Sequence, residues 1–288
     1  MARRRSGRRE RRVERREEEA CGEDRDEDRH EGAGEGSGQE AGSKDDGEEA
    51  RGEEEGDSRR EVSVWALLAA AGSGERLGAD RPKAFVRLGG RVLLAESLER
   101  LDASDWIEQI VVAAPPGWEE PAILVAEELG CSKVSACVAG GPSRSESVRL
   151  ALAEVPEETA VVLVHDAARP FVDDDVIGRV LSALDEGWDG AVPVLPVPDT
   201  IKRVDGDRVV ETLPRAELRA FQTPQAFVAS VLREALAGDV SAASDCASLV
   251  EARGGRVKVV AGDERLMKVT STDDLELVAG QLRQLDRE

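Results

Sequence analysis

From residue 62 onward the chain alternates short apolar runs with longer stretches in which apolar residues recur every three or four positions. Residues 62–71 (VSVWALLAAA) form a nearly continuous apolar run that ends in glycines. Comparable runs follow at 109–114 (QIVVAA), 160–165 (AVVLVH), 190–194 (GAVPV) and 256–261 (RVKVVA). Runs of this length without apolar–polar alternation predict strands buried on both faces. Between them lie helical spacings. Leu93, Leu94, Ser97, Leu98 and Leu101 share one face; Ile123, Val125, Ala126 and Leu129 share a second; Val176, Ile177, Val180, Leu181 and Leu184 share a third. A last helix is expected after the capping stretch Ser271-Thr-Asp-Asp274. Strand and helix in alternation predict an α/β fold, with a mostly parallel twisted sheet and helices on both faces.

The first 60 residues break this pattern. They carry 15 Lys and Arg against 21 Asp and Glu and almost no apolar residue. Such a segment cannot bury enough apolar surface to offset its ordering entropy, so 1–60 is expected to be a disordered, charged extension and 61–288 the folded domain. The arginine run at 3–16 has no interleaved aromatic residue for stacking on bases. With a net charge of -21 on the whole chain, a nucleic-acid partner is not expected. No stretch approaches the roughly 18 apolar residues of a membrane helix, and no apolar segment follows the basic start. No membrane partner is expected, and a cytoplasmic location is. The cysteines, Cys21, Cys131, Cys137 and Cys246, match no zinc spacing and are expected to be reduced thiols.

In open parallel sheets, ligands gather beyond the carboxyl ends of the strands. The first run is followed there by AAGSGERLG and Pro82-Lys83, the third by Asp166 and Arg169, the fourth by Asp199-Thr200, and the last by Asp263-Glu264 and Lys268. The glycine loop is not a P-loop, because Gly78 is followed by Ala79-Asp80 rather than Lys and a hydroxyl residue. A dinucleotide site fits poorly. The third glycine comes one place late, and the second strand run ends in Ala113-Ala114-Pro115-Pro116, with no acid for a ribose.

Six segments in order, AAGSGERLG with the Pro-Lys that follows, VHDAARP, PVPDTIKR, QTPQAF, SDCASLVE and KVTSTDDL, resemble the 2-C-methyl-D-erythritol 4-phosphate cytidylyltransferases. The likeness runs from about residue 63 to 282. It implies a Rossmann-like nucleotidyltransferase fold with a protruding dimerisation arm at about 196–217. It also implies CTP and a polyol phosphate as partners, Mg2+ as cofactor, and a homodimer that exchanges arms. The implied reaction joins the substrate phosphate to the α-phosphorus of CTP and releases pyrophosphate. Ribitol 5-phosphate as acceptor, or a nucleotide-binding subunit without catalysis, are the alternatives.

The resemblance also assigns residues. Arg76 and Lys83 would stabilise charge on the reacting phosphorus, and Lys268 would act beside them on the substrate phosphate. Ala71, Gly72, Ser73, Gly74, Gly141, Ser147, Asp166 and Ala167 would hold the nucleotide, with Asp166 also on the metal. Thr200, Arg215, Arg169, Thr223 and Lys268 would bind the sugar phosphate. His165 is expected to pack and hydrogen-bond rather than move protons. Four positions depart from the family's usual residues: Ala84 in place of glutamine, Pro142 in place of a polar residue, Ser244 in place of threonine, and Met267 in place of asparagine.

Overall fold

The computed structural model describes residues 62–74, 77–78, 80–241 and 243–285. The extension read at 1–60 and the candidate Arg76 lie outside the described residues.

The chain begins with β1 (Val64–Ala69), passes a small hairpin of β2 (Arg87–Leu88) and β3 (Arg91–Val92), and continues through α1 (Leu93–Asp102) into β4 (Gln109–Ala114). Next come α2 (Glu119–Leu129), β5 (Val134–Ala139), α3 (Arg144–Leu152), β6 (Val161–Asp166), α4 (Asp174–Asp185) and β7 (Gly190–Pro196). A separate hairpin, β8 (Lys202–Asp205) and β9 (Arg208–Thr212), precedes β10 (Arg219–Phe221) and β11 (Gln225–Val228). The fold closes with α5 (Ala229–Leu236), α6 (Cys246–Ala252), β12 (Val257–Ala261) and α7 (Thr272–Leu285).

Eight strands form one sheet in the order β10-β7-β11-β6-β1-β4-β5, with β12 alongside β7. β1 pairs in parallel with β4 and β6, β4 with β5, and β12 with β7. β10 and β11 run against their neighbours. The continuous apolar runs follow from burial on both faces. Along β1, Ala66 and Leu68 enter a core shared with α1, α2 and α4, while Leu67 enters the opposite core with α3, α5 and α6. Each face thus excludes water, and polar residues could stand only at the strand ends.

The five apolar runs all become strands, but β12 is not buried on both faces as its run suggested: Val259 and Ala261 are exposed and the other residues only half-buried. The helices α1 and α4 bury the faces read from spacing. Ser97, an odd member of the α1 face, is fully buried because its hydroxyl donates to the Ala167 carbonyl at 3.0 Å. α2 differs. Ala122 and Ala126 face the sheet, whereas Ile123 is exposed. Residues 122–126 (AILVA) are all apolar, so spacing could not select a face, and the small alanines allow the closer approach. α7 starts where expected: the Asp274 carboxylate accepts from the Thr270 and Ser271 amides, and the Asp274 amide donates to the Ser271 hydroxyl. The strands β5, β10 and β11 were not anticipated. β5 sits at the sheet edge and mixes Ser, Ala and Cys with valine, and the reversed pair is broken up by Gln222, Thr223 and Pro224. Among the described residues, no helix is long and apolar enough to cross a membrane. Cys131, Cys137 and Cys246 are free thiols.

Candidate active site

Three central strands, β4, β1 and β6, end side by side, with Ala69 beside both Ala113 and Asp166. A cavity of about 960 Å³ opens there. Ala71, Gly72, Ser73 and Gly74 line it from the loop after β1, together with Lys83. The loop folds back on itself: the Lys83 amide donates to the Gly72 carbonyl at 3.3 Å and the Leu77 amide to the Gly74 carbonyl at 2.8 Å. Gly74 has φ +75°, and a Cβ there would stand 2.9 Å from the Lys83 Cβ, so only glycine lets the two limbs approach. That contact fixes where the Lys83 stem leaves the backbone.

The opposite wall is the loop between β5 and α3. A Cβ on Gly140 would fall 2.2 Å from the Ala71 Cβ, so this loop packs directly on the first. The buried Ser147 hydroxyl accepts from the Gly141 amide at 3.1 Å and donates to the Ser143 carbonyl at 2.9 Å. Ser143 caps α3 by accepting from the Glu146 amide. Pro142 sits in this loop and lines the cavity.

Asp166 closes the floor with Ala167. Its carboxylate is held at both oxygens: Arg144 Nε donates to Oδ1 at 2.6 Å and Lys268 Nζ to Oδ2 at 2.6 Å. Burial alone would raise the Asp166 pKa. The Arg144 and Lys268 charges, with their hydrogen bonds, outweigh it and hold the carboxyl well below the usual range. Burial would likewise lower Arg144, but the adjacent Asp166 pushes it up, so both partners stay ionised. Arg144 was not singled out from the sequence as a site residue. A signal was present: it is the first residue of α3, where a cation opposes the helix dipole and calls for a nearby carboxylate.

Behind the floor lies a relay. His165 Nε2 donates to the Arg169 carbonyl at 3.0 Å, which leaves Nδ1 to accept from the Thr223 hydroxyl at 3.1 Å. The same hydroxyl accepts from the Asp166 amide at 3.1 Å. Burial pushes the His165 pKa down to about 4, so the imidazole is neutral at ordinary pH and braces the strand end. The packing role read for His165 from the sequence agrees with this.

A second cavity, about 430 Å³, shares Arg144, Asp166 and Lys268 with the first. Arg169 and Thr223 line it. The Arg169 guanidinium reaches the carbonyls of Leu266 at 2.5 Å and Phe221 at 3.3 Å, tying the Lys268 loop to β10. Thr200 and Arg215 line neither cavity. Both are exposed near the β8–β9 hairpin, where Arg215 donates to the Pro198 carbonyl at 2.7 Å. The two departures beside key lysines are apolar packing positions. Ala84 is buried in the core, and Met267 packs on a third cluster of Leu88, Leu93, Phe171, Val269 and Val278.

Two glycine-bearing loops facing a carboxylate gripped by arginine and lysine, at the carboxyl ends of parallel strands, define an α/β domain of the nucleotidyltransferase kind. The family model for 2-C-methyl-D-erythritol 4-phosphate cytidylyltransferase matches residues 64–284. Proteins of that name from Saccharopolyspora erythraea and Frankia casuarinae are 46% and 45% identical to the chain. Each match covers 77% of this chain, with 100% and 82% of the respective relative. The crystal structure of the Thermus thermophilus protein of that name superposes with a TM-score of 0.62 at 38% identity, over 76% of this chain and 98% of that one. The chain belongs to the 2-C-methyl-D-erythritol 4-phosphate cytidylyltransferase family.

Proposed function

We propose that the protein transfers a cytidylyl group from CTP to 2-C-methyl-D-erythritol 4-phosphate, a step of non-mevalonate isoprenoid synthesis. The observation that carries this reading is the shared wall. Arg144, Asp166 and Lys268 stand between a glycine-lined cavity suited to a triphosphate and a smaller polar cavity beside it. The relatives named above carry this activity in their names, not that of a ribitol phosphate enzyme.

In the proposed step, an oxygen of the substrate phosphate forms a bond to the α-phosphorus of CTP. The bond between that phosphorus and the bridging oxygen breaks, and pyrophosphate leaves with the electron pair. Both reactants are anions and the nucleophile is already ionised. Catalysis therefore consists of positioning and charge stabilisation. The backbone of Gly72–Gly74 and the Gly140-Gly141 loop would cradle the nucleotide; at Gly72 a side chain would have open space around it, so a ligand can approach the backbone. Lys83, with Arg76, would carry the charge that grows on the α-phosphoryl oxygens. Lys268 would leave Asp166 Oδ2 for the substrate phosphate as it enters, while Arg144 stays on Oδ1.

Among the described residues, no cluster of three or more His, Cys, Asp or Glu could hold a metal. One carboxylate on the cavity floor nevertheless suits magnesium, which commonly takes one or two protein carboxylates and completes its shell with phosphate oxygens and water. Asp166 would be its protein ligand. When bound, the ion would neutralise triphosphate charge. The exposed β8–β9 hairpin and the exposed Thr200 and Arg215 support a homodimer in which each arm contributes to the neighbour's second cavity. The free thiols accord with a cytoplasmic location.

The test is pyrophosphate release by purified protein with magnesium. CTP is paired with 2-C-methyl-D-erythritol 4-phosphate or ribitol 5-phosphate, and other nucleotides serve as controls. Release with CTP and the methylerythritol phosphate alone is expected. Release only with the ribitol phosphate, or none from folded protein, overturns the reading. Lys83→Ala is expected to lower kcat by about 10²–10³ with the melting temperature nearly unchanged; unchanged turnover would remove Lys83 from the mechanism.

A further inference from the structure

The second cavity contains a buried acceptor that the proposed chemistry leaves unused. Gln225, the first residue of β11, lines this cavity and is only 2% exposed. Its amide nitrogen donates to Asp245 Oδ2 at 2.9 Å. Asp245 is itself held, because its Oδ1 caps α6 by accepting from the Ser248 amide at 3.0 Å. An ionised carboxylate accepts and cannot donate, so the amide must turn its NH2 toward Asp245 and its carbonyl away. That carbonyl oxygen, Oε1, is buried and has no hydrogen-bond partner among the described residues.

A buried acceptor without a partner is costly, and in native proteins it usually has a use. The strand register and the Asp245 lock prevent the amide from relieving it by flipping. The cavity beside it is polar. Ser244, Ser248 and Glu251 contribute from α6 and the residues before it, and Arg144, Asp166 and Lys268 also line the triphosphate cavity. A ligand phosphate would sit toward the cations. The rest of a short polyol would extend toward Gln225, and a hydroxyl there can donate to Oε1.

We propose that Gln225, oriented by Asp245, is a specificity residue that accepts a hydrogen bond from one hydroxyl of the polyol phosphate. This rests on the cytidylyltransferase reading above and deepens it. A site built around a fixed acceptor discriminates strongly against a ligand that lacks the matching hydroxyl, since the acceptor then stays buried and unpaired.

The experiment compares steady-state rates for 2-C-methyl-D-erythritol 4-phosphate and its three monodeoxy analogues, tested singly with CTP and magnesium. Wild type is expected to disfavour one analogue by on the order of 10- to 100-fold in kcat/KM. In Gln225→Leu that discrimination should collapse to within a few-fold. The KM for the polyol phosphate should rise while the KM for CTP holds. Asp245→Asn is the second variant, because asparagine still caps α6 yet lets the Gln225 amide turn over. It should lose part of the discrimination and provides the test if Gln225→Leu does not fold. Equal discrimination in wild type and either folded variant overturns the assignment while the cytidylyltransferase reading stands. No turnover by wild type with any acceptor overturns that reading itself, and this inference with it.

Discussion

The floor of the nucleotide cavity and the β8–β9 hairpin are built in opposite ways. At the floor, Asp166 is joined to α3 through Arg144, to the segment before α7 through Lys268, and to the stretch before β11 through Thr223. The Asp166 carboxylate there is buried, and each of its oxygens is answered by a cation. On the hairpin every residue is exposed, including Val204, Val209 and Val210, and the two strands form their own sheet. A lone two-stranded hairpin is marginal in water. The floor is positioned by the chain's own contacts, whereas the hairpin leaves three valines exposed to solvent. One region is made to hold charges still, and the other presents apolar side chains outward, as the proposed dimer requires.

The comparison breaks most severely at Arg144. Arg144→Met would leave the buried Asp166 with Lys268 as its remaining ion pair among the described residues. Loss of a buried partner typically costs about 3–5 kcal/mol, and the remaining lysine places the expected loss near 3 kcal/mol, with activity falling at least as steeply. Denaturant melts and pyrophosphate release together check this. A change below about 1 kcal/mol would mean that Asp166 does not depend on the arginine.

The His165 relay offers a test by pH. Its folded pKa of about 4 lies below the ordinary 6.5. The unfolded chain therefore binds the extra proton first as pH falls. The stability contribution is complete above about 6.5 and is lost progressively toward pH 4, by roughly 3 kcal/mol in all. His165→Gln should flatten that part of the stability curve. If wild type and variant lose stability in parallel between pH 6.5 and 4, the histidine is not the group responsible.

Smaller effects are expected at the loop and on the arm. Gly74→Ala forces a side chain into positive φ and against the Lys83 Cβ at 2.9 Å. A loss of about 1–2 kcal/mol is expected, with kcat falling because the Lys83 stem must shift. Full activity would show that the loop tolerates the displacement. The paired change Val204→Ser and Val209→Ser should leave protomer stability within about 0.5 kcal/mol, as for exposed sites, yet weaken self-association in sedimentation velocity. Unchanged association would exclude the arm as the mating surface.

Much of the fold could be read from the chain. Four of the five apolar runs, those of β1, β4, β6 and β7, became strands because burial imposes nearly unbroken hydrophobicity, and α1 and α4 kept their apolar stripes for the same reason; β12 is a half-exposed strand held by its pairing with β7. Ile123 pointed the wrong way because α2 is apolar on several sides. β10 and β11 escaped notice because Gln222, Thr223 and Gln225 interrupt them, and those polar residues face the site rather than a core. Thr223 and Arg169 illustrate a further limit. Their residue types suggest ligand contact, but their positions also make them struts for the Asp166 strand end and the Lys268 loop.

By itself the sequence determined five of the strands, the helices α1, α2, α4 and α7, the glycine loop after β1, and the gathering of Lys83, Asp166 and Lys268 at the strand ends. Periodicity and chain order suffice for these, since they depend on local burial and on the direction of parallel strands. Only the tertiary structure decided that Arg144 rather than Arg169 grips Asp166, that the Asp166 carboxylate is shared between two cations, and that Gln225 is turned by Asp245 to leave one acceptor open. Those outcomes depend on residues 20 to 102 positions apart in the chain. Hydrogen-bond geometry at 2.6–3.1 Å selects among several chemically equivalent partners, and no spacing along the chain encodes that choice.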